Sequence, residues 1–132
     1  MSHDFDALSY AARTLVSKTA RHELWHAALS LPEWYFVGTG EGEDVAPLVG
    51  VSEGRPHLLA FTDEDRAHEF AAARAARKGC DPGVLLGMTP SEAVEYVVQL
   101  REQVDGVLLN SGEHGFAAQP MELKDMHDRH GA

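Results

Sequence analysis

Apolar residues recur along the chain at two different periods, and the change of period divides it. From about Asp4 to Val16, Phe5, Leu8, Ala12 and Leu15 stand three or four apart, the spacing of one helix face. A second helical pattern runs from about Thr19 to Leu31, and Pro32 ends it. The period then shortens. Trp34 to Val37 is an aromatic and β-branched run, G-T-G-E-G-E-D bends the chain, and A-P-L-V-G-V-S supplies a second strand, which together predict an antiparallel hairpin. S-E-G-R-P turns the chain into H-L-L-A-F, His57 to Phe61, as a third antiparallel strand.

H-L-L-A-F, V-L-L-G-M (Val84 to Met88) and G-V-L-L-N (Gly106 to Asn110) are near-continuous apolar runs, as expected of strands covered on both faces. Helical segments separate them. Thr62 is placed to cap the first, with Asp65 at N3, and the segment passes through Ala67, Phe70 and Ala71 to stop at Gly79. In the second, Thr89 caps, Pro90 takes N1, Glu92 takes N3, and Ala93, Val97, Leu100 and Val104 share a face. A short helix begins at Pro120. The fold class predicted is α/β: one domain over residues 1–132, with a single mixed sheet. That sheet joins an antiparallel N-terminal hairpin to a parallel β-α-β-α-β unit with right-handed crossovers, beside two N-terminal helices and a short C-terminal helix.

Composition narrows the function classes. Forty-four per cent of the 132 residues are hydrophobic, enough for a packed core, and the formal charge is −10. That charge repels phosphate backbones and anionic lipid, so no nucleic-acid partner is expected. Arg74, Arg77 and Lys78 read as the basic end of one helix. Cys80 is the only cysteine, which excludes an internal disulfide and a multi-thiolate metal centre and fits a reducing compartment. The N-terminal M-S-H-D-F-D-A-L-S-Y lacks an apolar signal core, and no apolar run approaches a membrane span, so a cytoplasmic location without membrane association is expected.

The chemically suggestive stretch is H-E-L-W-H, residues 22–26, since H-E-x-x-H on a helix can place two zinc ligands and a general base on one side. At about 100° per residue, Leu24, Ala27, Ala28 and Leu31 cluster opposite His22 and His26. The two imidazoles therefore point away from the core. Leu29 stands where the extended protease signature needs glycine, and the sequence shows no third ligand nearby. No metal or other cofactor is expected, and a zinc hydrolase using His22, Glu23 and His26 is kept as the alternative. H-D-R-H, His127 to His130, reads as a solvated terminal helix rather than a metal site. G-T-G-E-G-E-D carries Glu43 in place of the third glycine of a dinucleotide loop and reads as a turn, and no G-x-S-x-G elbow is present.

Taken together, A-R-H-E-L-W-H-A-A-L-S-L-P-E-W-Y-F-V-G, P-H-L-L-A-F-T-D-E-D-R-A-H-E-F and G-V-L-L-N-S-G-E resemble the SseB-type N-terminal domain, a family of small bacterial proteins named for enhanced serine sensitivity. A-F-T-D-E-D-R-A is similar to its F-T-S-x-E-x-A pattern, and L-N-S-G to its L-N-P-G, with Asp63 replacing Ser and Ser111 replacing Pro. The resemblance, from about residue 20 to residue 114, implies a cytoplasmic α/β domain without shared catalytic residues. The functional expectation is a non-catalytic interaction domain that binds a protein partner, with no catalytic residues assigned. Its candidate surface is Trp34, Thr62, Asn110, Ser111, Gly112 and Phe116. A small-ligand sensor using the crevice at the strand ends is the other alternative.

Overall fold

The computed structural model describes residues 4–15, 18–39, 45–80, 82–112 and 115–130. Helices α1 (Phe5–Leu15) and α2 (Lys18–Leu29) open the chain, as their periodicity predicts. The elements that follow are β1 (Trp34–Thr39), β2 (Ala46–Pro47), β3 (Val49–Ser52), β4 (Arg55–Phe61), α3 (Glu64–Lys78), β5 (Leu85–Met88), α4 (Pro90–Gln99), β6 (Val107–Leu109), β7 (Phe116–Ala118) and α5 (Pro120–His130). Val16, and residues 40–44 of the glycine-rich bend, lie outside the described residues. No helix among the described residues is long and apolar enough to cross a membrane.

The seven strands form one mixed sheet. β1 and β4 pair antiparallel at Tyr35 with Phe61 and Phe36 with Ala60, then part. The segment between them fills the gap. β2 pairs with the end of β1, β3 pairs with the start of β4, and Leu48 joins both, donating to the Val37 carbonyl and accepting from the Leu59 N–H. The predicted hairpin thus forms as two short ribbons hinged at Leu48. Glu53 and Gly54, with φ of 53° and 77°, close the β3–β4 hairpin in the left-handed conformation that a two-residue turn requires.

β4 and β6 pair in parallel, Leu58 opposite Val107 and Ala60 opposite Leu109. β5 pairs antiparallel with β1, on the edge of β1 away from β4, because Tyr35 faces both Phe61 and Gly87. β4, β5 and β6 therefore run in one direction, as a β-α-β-α-β unit demands, but β1 lies between β4 and β5. β7, a three-residue strand antiparallel to β6, completes the sheet. It is too short to announce itself by alternation.

Strand alternation divides the core in two. Trp34, Phe36, Leu58, Ala60, Val107, Leu109 and Phe116 face one side, where α2, α4 and α5 supply Leu24, Trp25, Ala28, Val97 and Leu123. Val37, Leu59 and Phe61 face the other, against Ala67 and Ala71 of α3. Ala67, Ala71 and Ala75 make a small-residue stripe at four-residue spacing, which lets α3 lie close on the sheet. Thr89, Pro90 and Glu92 form the expected capping box of α4, and Gly79 ends α3 in the left-handed region.

One capping assignment changes. Asp63, not Thr62, caps α3, its carboxylate accepting the Arg66 backbone N–H at 2.8 Å. Thr62 is buried and engaged elsewhere: its N–H donates to Asn110 Oδ1 at 3.0 Å, and its hydroxyl accepts from Asn110 Nδ2 at 3.0 Å. Asn110 itself is 4% exposed with φ of 55°, and its N–H donates to Ala60. This pair locks the C-terminal ends of the two parallel strands together. Its removal leaves buried Thr62 groups unpaired, so Asn110→Ala is expected to destabilise the fold by about 2–3 kcal/mol in denaturant unfolding. At Gly106, with φ of 150°, a Cβ would collide with the Ala118 carbonyl oxygen. Gly106→Ala is expected to cost more than about 2 kcal/mol and to separate β7 from β6, visible as lost amide protection at Ala118.

Candidate functional site

α3 packs over β1, β4 and β5, and among the described residues it covers β6 only at Leu108 and makes no comparable contact with β7. A cleft of about 810 Å³ opens there, with the cross-strand pair Leu108 and Ala117 on its floor. α1 brings Ser9 and Arg13 to it, the first turn of α2 brings Lys18 and Arg21, and the β3–β4 hairpin brings Val51, Glu53 and His57. Its volume is that of a ligand site rather than a packing gap.

The polarity of this cleft runs against that of the molecule. In a chain of net charge −10, Arg13, Lys18, Arg21 and His57 line it, and Glu53 is the only acid among its described residues. Arg21 is held in place: it pairs with Glu122 at 2.9 Å, donates to the Ala117 carbonyl at 3.3 Å, and lies 5.9 Å from the centre of the Trp25 ring. His57 donates from Nδ1 to the Arg55 carbonyl at 3.1 Å, since a carbonyl oxygen can only accept. Ser9 is 1% exposed, and its hydroxyl has no hydrogen-bond partner among the described residues. A buried hydroxyl left without a partner costs about 1–3 kcal/mol, so a donor or acceptor entering the cleft gains a ready partner.

The residues expected to form a binding surface divide sharply. Ser111 and Gly112 line the cleft, and Phe116 reaches it with its 7% exposed edge. Trp34 is fully buried, and its indole N–H donates to the Ala28 carbonyl at 2.8 Å, so it offers a partner nothing. Phe116 is mainly core, stacked on Phe5 and edge-on to Trp25 at 5.0 Å. Thr62 and Asn110 satisfy each other, so they act within the frame rather than on its surface. Sequence reasoning missed Ser9, Lys18, Arg21 and His57. Ser9, the Lys18–Arg21 turn and His57 come from three separate segments and share no spacing that signals a common site.

His22 and His26 are exposed on α2, as the helical projection predicts. Their environment is not open solvent alone. α5 lies beside α2, and His130 Nδ1 stands 2.9 Å from His26 Nδ1, with the rings 4.5 Å apart. The His127 of the same H-D-R-H segment turns instead to α4, with Nε2 3.0 Å from the Ser91 hydroxyl. Among the described residues no group of three or more His, Cys, Asp or Glu side chains could hold a metal ion.

Burial first, and then the charges that His26, His127 and His22 can carry, hold the His130 imidazole below its ordinary value of 6.5. The folded chain consequently binds this proton less readily than the unfolded chain. The contribution of the α2–α5 contact to stability is complete above about pH 6.5 and declines as pH falls below it. Thermal unfolding between pH 7.5 and 5.0 is expected to show wild type losing more stability on acidification than His130→Gln.

No family model matches the chain, and no curated protein and no solved structure matches it.

Proposed function

We propose that this chain is a non-catalytic, cytoplasmic interaction domain that receives an acidic segment of a protein partner in the cleft between α1, the β3–β4 hairpin and the β6–β7 connection. The SseB-type resemblance of the H-L-L-A-F-T-D-E-D-R-A and L-N-S-G segments is part of this reading. The observation that carries it is the buried Ser9 hydroxyl, unpartnered among the described residues, in a cleft lined by Arg13, Lys18, Arg21 and His57. Lys18 and the guanidinium of Arg13, beside an apolar floor, favour a carboxylate whose carbon stem is desolvated as it enters, and Arg21, paired with Glu122, keeps its remaining N–H donors for it. Val51, 77% exposed at the rim, supplies apolar contact for an extended chain.

The shared chemistry is a carboxylate, which a free dicarboxylate could also bring. Two measurements separate the sources: fluorescence anisotropy with a labelled peptide of alternating Glu and Ser, and thermal shift with succinate and glutarate. Peptide binding that Lys18→Glu weakens by about tenfold or more, with little shift from either small anion, supports the partner reading. Stabilisation by the small anions alone makes the domain a sensor of small carboxylates. Ser9→Ala sharpens the test, because it removes an unpaired buried hydroxyl and should leave the ligand-free fold equally or more stable while weakening binding. Binding unaffected by both substitutions, or absent for every probe, refutes the assignment of the cleft.

A further inference from the structure

The sheet ends on an unguarded edge. β5 pairs with β1 along one side, and among the described residues no strand lies against its other side. We infer that this edge is the seat of a second copy of the chain, the two β5 strands pairing antiparallel about a two-fold axis at Leu86 to make one continuous sheet. The surface lies at the opposite end of the sheet from β7 and the cleft, and it does not rest on the partner-binding reading.

Backbone geometry is the first argument. The Gly38 N–H donates to the Val84 carbonyl at 2.7 Å, in register with Phe36 opposite Leu86 and Trp34 opposite Met88. Hydrogen-bonded and non-hydrogen-bonded pairs alternate along an antiparallel ladder, so Val84, Leu86 and Met88 turn their peptide groups to β1 while Leu85 and Gly87 turn theirs outward. The outward residues match each other. About a two-fold at Leu86, Leu85 of each copy faces Gly87 of the other, and every outward N–H and C=O of these residues finds a partner.

Side chains supply the second. V-L-L-G-M, Val84 to Met88, carries no charge and no proline, the residues that commonly keep an exposed edge from pairing. Val84 is 56% exposed, and Leu85, Leu86 and Met88 are only half-buried. Alternation puts Val84, Leu86 and Met88 on one face, so across the axis Val84 meets Met88 and Leu86 meets its own copy. Charge complementarity is the third. Glu33, whose carboxylate stands over Gly87, joins Asp63, Glu64 and Asp65 at the start of α3 to make the Gly87 end of this edge acidic. α3 closes on Arg77 and Lys78, from which the chain returns to β5 at its Val84 end. Antiparallel copies set the acidic end of each beside the basic end of the other, whereas parallel strands would set acid against acid.

The test is sedimentation equilibrium of the full chain joined to amide exchange. Between about 5 and 500 μM the weight-average mass is expected to rise from that of the monomer towards twice it, with a dimer Kd below about 100 μM. The Leu85 and Gly87 amides should exchange rapidly in dilute protein and about tenfold or more slowly in concentrated protein, while those of Leu86 and Met88, bonded to β1, stay protected in both. Val84→Lys, at an exposed position, should raise the Kd about tenfold or more and leave the thermal midpoint of the dilute protein unchanged. Leu85→Pro removes an outward N–H and should weaken the dimer at least as much. A wild type that is still monomeric at about 500 μM overturns the inference and leaves this edge to a strand of a different protein. A dimer whose Kd ignores Val84→Lys, or whose Leu85 and Gly87 amides exchange equally fast at both concentrations, forms through another surface and overturns it as well.

Discussion

The seating of α2 on the sheet is the constraint from which the remaining geometry follows. Leu24, Trp25, Ala27, Ala28 and Leu29 are buried along it, and the Trp34 indole at the start of β1 donates to the Ala28 carbonyl near the helix end. Trp25 lies 6.4 Å from Trp34 and 5.0 Å edge-on from Phe116, so one cluster of rings ties the helix to both a central strand and the last one. This fixes the rotation of α2 about its axis. Arg21 is thereby delivered to the cleft, and His22 and His26 to the flank where α5 arrives.

The cleft and the histidine recess share an origin in uneven coverage of the sheet. α2, α4 and α5 close one face almost completely, while α3 closes only part of the other. Where α3 stops, β6 and β7 keep a half-exposed face, and side chains from the ends of α1 and α2 lean over it without filling it. The acid-rich surface elsewhere leaves the few cations gathered there as a local reversal of sign. The cleft thus arises from what the packing leaves uncovered.

Much of the architecture was legible. Both N-terminal helices, the capping box at Thr89, the glycine stop at Gly79, the Glu53–Gly54 turn and the helix beginning at Pro120 all carry local signals that the structure repeats. The His22 and His26 directions also followed from periodicity. Other features were not legible. Trp25 falls on the histidine side of the α2 projection and is nonetheless buried, because Phe116 and α5 close over that flank. Thr62 looked like a helix cap until a residue forty-eight positions later took its hydrogen bonds. Trp34 and Phe116 looked like candidates for contact and proved to be core.

The sequence by itself determined which of the longer segments are helical or extended, how α3 stops and α4 starts, and which stripe of each is apolar, although α4 ends at Gln99, short of the Val104 that its periodicity reached. Those properties depend on residues within a turn or two of one another, whose propensities and capping bonds form locally. Only the tertiary structure decided that β5 joins the free edge of β1, that Ser9, Lys18, Arg21 and His57 share a cleft, and that His130 meets His26. Edges and flanks of equal local propensity compete for the same partner. The choice among them is made by the burial of whole faces, which no short stretch of sequence records.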